Sequence, residues 1–440
     1  MNPSTAIIGA GSSGIAALKA LRDADVPVTC FEASDDVGGN WYFRNPNGRS
    51  ATYESLHINT DSELMAYSDY PMPEGTPDYP GHKPIHRYFQ AYVEHFGLRD
   101  SIRFNTEVTR AERLADGRWR LELADGTSEE FDALLVANGH HWDPRWPEPY
   151  PGKFTGTEIH SHDYINPSEP IEMRGKRIMV VGMGNSAMDI ACELCNPAIA
   201  EKLFLSHRRG VWILPKYLFG IPVTKLCTAP AWMPWRVGAL LVSTLVRLAV
   251  GTPQRYGLKK PDHGWLQNHP TVSEDIFVRL GSGDILPRPG IRRFDGNRVE
   301  FTDGTTEEID VVVWCTGYNV TFPFFDKDFL DTRDNELPLW MRMMRPDIDN
   351  LFFVGLCQPL GAIMPIAEAQ GRFIARVLSG RIALPDRTRM EREIAKEQAA
   401  MHARYLEAPR HTMQVDFEDY LAKLRKVMKR ARRVEAAATG

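Results

Sequence analysis

A glycine pattern that occurs twice narrows the fold more than any other feature of this chain. Thr5-Ala6-Ile7-Ile8 reads as a short apolar strand leading into Gly9-Ala10-Gly11-Ser12-Ser13-Gly14. A helical run over 15–22 follows, then a second apolar strand, 28–31, which ends at Glu32. Strand, G-x-G-x-x-G turn, helix, strand and acid in that order make a unit that binds a dinucleotide. Gly9 allows the tight turn, Gly11 lets the backbone approach a pyrophosphate, and Gly14 allows close helix packing. The helix N-terminus points its free N–H groups at the phosphates. Glu32 is placed to accept hydrogen bonds from a ribose diol.

The pattern returns at 177–181, an apolar strand followed by Gly182-Met183-Gly184-Asn185-Ser186-Ala187 and a helix to about Leu194. The next strand, 202–205, ends in Ser206-His207-Arg208-Arg209 instead of an acid. A carboxylate there would repel a 2′-phosphate, whereas a guanidinium can hold one bidentately. The acid-tipped unit therefore suggests FAD and the basic-tipped unit NADPH. Gly182, Gly184, Asn185 and Ser186 are the expected contacts at the second turn, with Ser206 and Arg208 at the 2′-phosphate.

Two further apolar strands, within Leu134-Leu135-Val136-Ala137-Asn138-Gly139 and Val311-Val312-Val313-Trp314-Cys315-Thr316-Gly317, end in small residues and glycine. Each closes one half and returns the chain towards the other. The expected fold class is α/β, with two Rossmann-like dinucleotide-binding domains and the NADPH domain inserted into the FAD domain. The expected boundaries are 1–165 for the first part of the FAD domain and 166–319 for the NADPH domain. The second part of the FAD domain is 320–390, and a charged helical tail occupies 391–440. Asp116-Gly117, Asp125-Gly126, Asp295-Gly296 and Asp303-Gly304 read as hairpin turns. The stretch 212–289, rich in proline and aromatics, reads as a helical insertion outside the NADPH domain's sheet.

A chain of 440 residues has room for two or three domains. A net charge of −5 gives no reason to expect nucleic acid. Six irregularly placed cysteines suit a reducing compartment. Only Met1-Asn2-Pro3-Ser4 precede the first apolar run, which leaves no room for a signal peptide. The most apolar segment, 237–246, is too short to span a bilayer. The expected setting is cytoplasmic.

Short motifs in a fixed order resemble the flavin-containing monooxygenases over about 5–380. That family's pattern F-x-G-x-x-x-H-x-x-x-[YF]-[KR] is matched by Phe154, Gly156, His160 and Tyr164, while Ile165 departs from the final basic residue. Gly38-Gly39-Asn40-Trp41 resembles the family's segment beside the flavin. Leu56-His57-Ile58-Asn59-Thr60 resembles its Leu-x-x-Asn-Thr segment, with Ser62 where a lysine is usual. Ser206-His207-Arg208-Arg209-Gly210 is similar to its S-x-R-R-G loop. Leu351-Phe352-Phe353-Val354-Gly355 and Gln370-Gly371-Arg372 are similar to its closing segment.

The resemblance implies hydride transfer from NADPH to FAD, capture of O₂ as a C4a-(hydro)peroxyflavin, and oxygenation of a soft sulfur or nitrogen nucleophile. The hard chemistry is then the cofactor's, consistent with the lack of a nucleophile–base constellation in the sequence. It further implies that Asn59 touches the flavin–peroxide region through its amide, and that Gly39, Asn40, Trp41, Thr60 and Gln370 contact cofactor. An Asx turn is the alternative for Asn59.

Five other readings compete. His160 and His162 face the same way on a strand, yet no ligand cluster adjoins them, so no metal is expected and a connector between domains is. Cys192-x-x-Cys195 evokes NADPH-dependent disulfide reductases, but sits mid-helix, where thiols are packed and not activated. A Baeyer–Villiger monooxygenase acting on ketones is closer, though that neighbouring family usually has tryptophan at the position of Tyr164. The basic run Lys423, Arg425, Lys426, Lys429, Arg430, Arg432 and Arg433, with Leu421, Leu424 and Met428 at helical spacing, is either a solvated tail or a docking helix. Trp232-Met233-Pro234-Trp235 is either a shallow membrane contact or pocket cover. The expected partners are a small-molecule substrate and O₂, with a weak peripheral membrane contact and a homodimer as open options.

Overall fold

The computed structural model describes residues 2–227, 235–265, 267, 270–330, 332, 335, 337–404 and 413–438. Two compact units emerge: Met1–Ser50, Ser62–His140 and Val320–Gly440 form the first, Ala51–Asp61 and His141–Asn319 the second. The Trp232-Met233-Pro234 part of the tryptophan motif lies outside the described residues.

The first unit is built on a five-stranded parallel sheet ordered Leu351–Phe353, Ala133–Val136, Thr5–Ile8, Val28–Phe31 and Ile102–Arg103. Thr5–Ile8 is buried on both faces, which is why it reads as an unbroken apolar run and not as an alternation. The chain leaves it to one side for Val28–Phe31 and returns on the other as Ala133–Val136. The topological switch point therefore lies at the first glycine turn, where such sheets bind ligands. The turns at Gly117 (φ 89°) and Gly126 (φ 85°) join Val108–Arg113, Trp119–Leu123 and Ser128–Phe131 into an antiparallel meander.

The second unit repeats the plan, ordered Ile285–Arg288, Ala200–Ser206, Lys176–Val181, Val311–Trp314 and Thr157–His160. Its central strand again carries the glycine turn. Gly296 and Gly304 close the meander Ile291–Asp295, Arg298–Phe301 and Thr306–Glu308.

Several boundaries differ from those read off the sequence. Thr157–His160 pairs with Val311–Trp314, so 141–165 belongs to the second unit and not to the first. Ile285–Arg288 is an edge strand beside Ala200–Ser206, so the end of the supposed insertion is part of the sheet. Pro287 and Pro289 obscured it; proline is tolerated where one strand side has no partner. The apolar run is also longer than ten residues. It forms the Trp235–Val250 helix, and the window Val237–Tyr256, mean hydropathy 1.3, is apolar and long enough by composition to cross a membrane. Gly251 (φ 79°) ends the helix itself at Val250.

The C-terminal segment is not simply solvated. Gln414–Asp416 pairs with Gln358–Leu360, and the Phe417–Ala438 helix packs on Ile363–Leu378. Leu424 is fully buried, and the Tyr420 hydroxyl donates to the Met341 carbonyl at 2.7 Å. Leu424→Ala should therefore destabilise the protein by about 2–5 kcal/mol, read from the urea midpoint, the cost of truncating a buried leucine. A merely solvated helix would give less than about 0.5 kcal/mol.

Candidate functional site

In the first unit the glycine turn is shaped by what its residues lack. A Cβ on Gly14 would stand 1.8 Å from the Gly9 carbonyl oxygen, so any side chain there forces the Ser12–Arg22 helix off the strand. Gly9, at φ 101°, has its N–H bonded to the Phe31 carbonyl at 2.8 Å. Gly11 stands at the helix start, backbone to backbone with Gly39; a Cβ on Gly39 would lie 3.1 Å from the Gly11 Cα. Gly39, Asn40 and Trp41 form one 3-10 turn, tied down by the Ser50 hydroxyl donating to the Asn40 carbonyl at 2.7 Å. The turn is thus lined with bare main chain, open to a pyrophosphate.

Glu32 is buried at the strand tip, accepting from the Ala10 N–H at 2.6 Å and the Ser34 N–H at 2.9 Å. A carboxylate has about four acceptor sites, so two bonds to backbone leave capacity for a ribose diol. The same bonds fix the carboxylate at the end of the turn.

Gln370 needs correction. Its oxygen accepts from the Gly355 N–H at 2.8 Å and its amide nitrogen donates to the Tyr420 hydroxyl at 2.7 Å, with the side chain fully buried. It ties the closing strand to the C-terminal helix and does not face a ligand. Its neighbour Gly371 acts directly on the turn's helix, since a Cβ there would come within 2.8 Å of the Ala17 Cα.

In the second unit Gly182 (φ 142°) passes so close to Cys315 that a Cβ would meet its carbonyl oxygen at 2.5 Å. Gly184 caps the Asn185–Leu194 helix, and Ser186 sits in its first turn. Asn185 uses its side-chain oxygen to accept the Val272 N–H at 2.9 Å, and Thr271 donates to the Met183 carbonyl at 2.6 Å. The strand Thr271–Val272 is therefore sewn to the turn. The amide nitrogen of Asn185 remains for a ligand, with one lone pair of its oxygen.

The tip of Ala200–Ser206 separates its residues by role. Ser206 is buried and donates to the Pro289 carbonyl at 2.8 Å, so its hydroxyl shapes the loop. The buried His207 ring accepts from the Lys259 N–H at 3.0 Å, and burial lowers its pKa. Arg208 is exposed, and no described side chain pairs with its guanidinium. Lys259 and Lys260 are exposed, and the Lys259 ammonium donates to the Arg208 carbonyl at 3.2 Å. An exposed guanidinium with the Lys259 ammonium on its own residue's carbonyl suits a phosphate dianion. The two lysines were invisible to local motif reading because they lie 51 and 52 positions further along.

Asn59 and Thr60 belong to the segment Ala51–Asp61, which packs with the second unit although its flanks belong to the first. The Asn59 side-chain oxygen is buried without a hydrogen-bond partner. That is not the locally satisfied Asx turn; a buried orphan acceptor costs stability unless a ligand completes it. Thr60 is 9% exposed.

The connector residues are structural. His160 is fully buried, with Nδ1 accepting from the His162 N–H at 3.1 Å, and its ring packs on Tyr318. Tyr164 is fully buried and donates to Glu193 at 2.9 Å. Among the described residues no three His, Cys, Asp or Glu side chains converge as a metal site. Burial raises the thiols of both Cys192 and Cys195, the opposite of an activated redox pair.

The model of the flavin-binding monooxygenase-like family matches residues 3–434. This chain belongs to that family. It is 36% identical to flavin-containing monooxygenase 5 of Rattus norvegicus over 440 residues, covering 95% of this chain and 81% of the relative. It is 32% identical to dimethylaniline monooxygenase [N-oxide-forming] 2 of Oryctolagus cuniculus, covering 96% and 82%. The solved S-allyl-L-cysteine S-oxygenase of Allium sativum is similar at TM-score 0.72 and 26% identity, covering 98% of this chain and 89% of that one. Cyclohexanone monooxygenase shares the fold, at TM-score 0.71 and 19% identity, covering 98% of each chain. The chain is thus an FAD- and NADPH-dependent monooxygenase. The bare glycine turn, the fixed Glu32 carboxylate and the unpaired Arg208 fit those two cofactors.

Burial, with His162 beside it, pushes the His160 imidazole down to about 4, against 6.5 in an unfolded chain. Between those values the unfolded chain binds a proton that the folded chain refuses. The stability His160 contributes is full above pH 6.5 and is lost as pH falls towards 4. His160→Gln should flatten this part of the stability–pH curve, measured as urea midpoints at pH 7 and 4.5.

Proposed function

We propose that this enzyme transfers one oxygen atom from O₂ to sulfur or nitrogen of small molecules, using NADPH in preference to NADH. The observation that carries the cofactor choice is the pair of strand tips: a buried, fixed Glu32 in one unit and an exposed, unpaired Arg208 in the other. The N-oxide-forming relative and the S-oxygenase support the substrate class.

When bound, the flavin supplies hydride acceptance and O₂ activation. The residues then have distinct tasks. The Ser12–Arg22 and Asn185–Leu194 helices offer their N-terminal N–H groups to the pyrophosphates, and the neighbouring glycines let that backbone come close. Glu32 holds the ribose diol, and Arg208 with Lys259 and Lys260 takes the 2′-phosphate. The Asn59 amide lends a neutral hydrogen-bonding group to the reacting region, neither donating nor removing a net proton.

The enzyme is proposed to work in the cytoplasm, with a weak peripheral membrane contact through one apolar face of the second unit. On the Trp235–Val250 helix Leu240 (67% exposed) and Leu248 (77%) stand out of the surface. Co-sedimentation with anionic vesicles, compared with Leu240→Glu/Leu248→Glu, tests this contact; equal recovery of both proteins would remove it.

Product analysis with a thioether, a tertiary amine and a cyclic ketone tests the main reading. Sulfoxide or N-oxide formation exceeding lactone formation is expected, and lactone as the dominant product would favour the Baeyer–Villiger alternative. Arg208→Ala should raise KM for NADPH roughly 10- to 100-fold while leaving that for NADH nearly unchanged, the loss of charged hydrogen bonds to one phosphate. Equal effects on both nucleotides would remove Arg208 from the 2′-phosphate.

A further inference from the structure

The segment Ala51–Asp61 has no helix of its own and holds its place through side chains. Near its start the Tyr53 hydroxyl donates to Asp189 at 2.6 Å and the Ser55 hydroxyl donates to Glu193 at 2.7 Å. Asp189 and Glu193 are one turn apart on the Asn185–Leu194 helix, which opens at the second glycine turn. At its far end Asp61 accepts from the Thr224 hydroxyl at 2.8 Å. Asn59 lies between the two fastenings, its side-chain oxygen buried and unpartnered.

The first fastening is the stronger. Tyr53 is 2% exposed and packs with Tyr164 in the core that contains the helix residues Ala187, Met188, Ile190 and Ala191. Burial raises the Asp189 carboxyl and raises the Tyr53 hydroxyl, so the bond between them is made away from bulk water. Glu193 accepts from both Ser55 and Tyr164, which links the fastening to the connector motif as well. A hydrophobic core holds Leu56 against the same body.

We propose that Asp189 and Glu193 are positioning residues for Asn59. Through Tyr53 and Ser55 they fix the segment that carries it to the helix whose N-terminus receives the nicotinamide dinucleotide. The Asn59 amide is thereby registered on the nucleotide unit, not on the chain segments that flank it in sequence. Loosening the fastening therefore loosens Asn59, and the peroxide released per NADPH consumed rises. This rests on the assignment of Asn59 to the reacting region.

The test uses purified holoenzyme as wild type, Tyr53→Phe, Ser55→Ala, Asp189→Leu, Asp189→Asn and Asn59→Ala. Hydrogen–deuterium exchange of 51–61 is followed with and without NADP⁺, beside flavin content, KM for NADPH and peroxide released per NADPH consumed. In the wild type NADP⁺ should slow exchange in 51–61. Tyr53→Phe should speed it roughly 2- to 12-fold, the effect of one ordinary hydrogen bond on local opening. It should also raise peroxide release with little change in flavin content or KM. Asp189→Asn, which keeps an acceptor oxygen for Tyr53, should behave closer to wild type than Asp189→Leu does. Tyr53→Phe combined with Asn59→Ala should release no more peroxide than Asn59→Ala alone.

Unchanged exchange in both Tyr53→Phe and Ser55→Ala would overturn the proposal, as would additive peroxide release in the double variant. Should Tyr53→Phe fail to fold, Ser55→Ala carries the same comparison. If exchange quickens but Asn59→Ala leaves peroxide release unchanged, the fastening is supported and the assignment of Asn59 falls.

Discussion

The missing Cβ of Gly14 is the constraint on which the first unit depends. With only 1.8 Å between a hypothetical methyl and the Gly9 oxygen, the helix reaches the strand solely because no side chain stands between them. That approach brings the free N–H groups of the helix to the edge of the sheet, and brings Ala10 within reach of the Glu32 carboxylate. Gly371 performs the equivalent service on the helix's other side, where it lies against Ala17. A strand, two helices and a buried carboxylate are thus set by a few positions that contribute no side chain.

The second unit uses the same turn and hangs different chemistry on it. Its strand tip ends in an unpaired guanidinium, and its loop is braced from residues far along the chain. Asn185 holds Val272, Thr271 holds Met183, and His207 holds Lys259. Ser206 turns inward to its own bond with the Pro289 carbonyl, as Gln370 of the first unit does to Gly355 and Tyr420, whereas Arg208 points outward. A polar residue in a cofactor motif has two uses: it can touch the cofactor, or it can satisfy the backbone that does.

Much of the fold was legible because parallel strands and glycine turns write themselves locally. Thr5–Ile8 and Lys176–Val181 are short apolar runs that lead into glycine, Val28–Phe31 is one that ends at Glu32, and each of the four Asp-Gly pairs closes a hairpin. What failed was local reading of non-local pairing. Ile285–Arg288 became a strand only because Ala200–Ser206 offered it an edge, and Thr157–His160 joined the second sheet through Val311–Trp314. The C-terminal helix read as a charged tail because its buried residues, Leu421 and Leu424, are outnumbered by lysines and arginines.

The sequence by itself determined the two nucleotide turns, the acid and the base that distinguish them, and the family, since each is a property of neighbouring residues. Only the tertiary structure decided which polar side chains remain free for a ligand. It alone placed Lys259 beside Arg208 and joined Ala51–Asp61 to the second unit. It alone left the Asn59 oxygen without a partner. The physical reason is that a hydrogen bond is decided by which groups meet in space after the core has closed, and spacing along the chain does not carry that information.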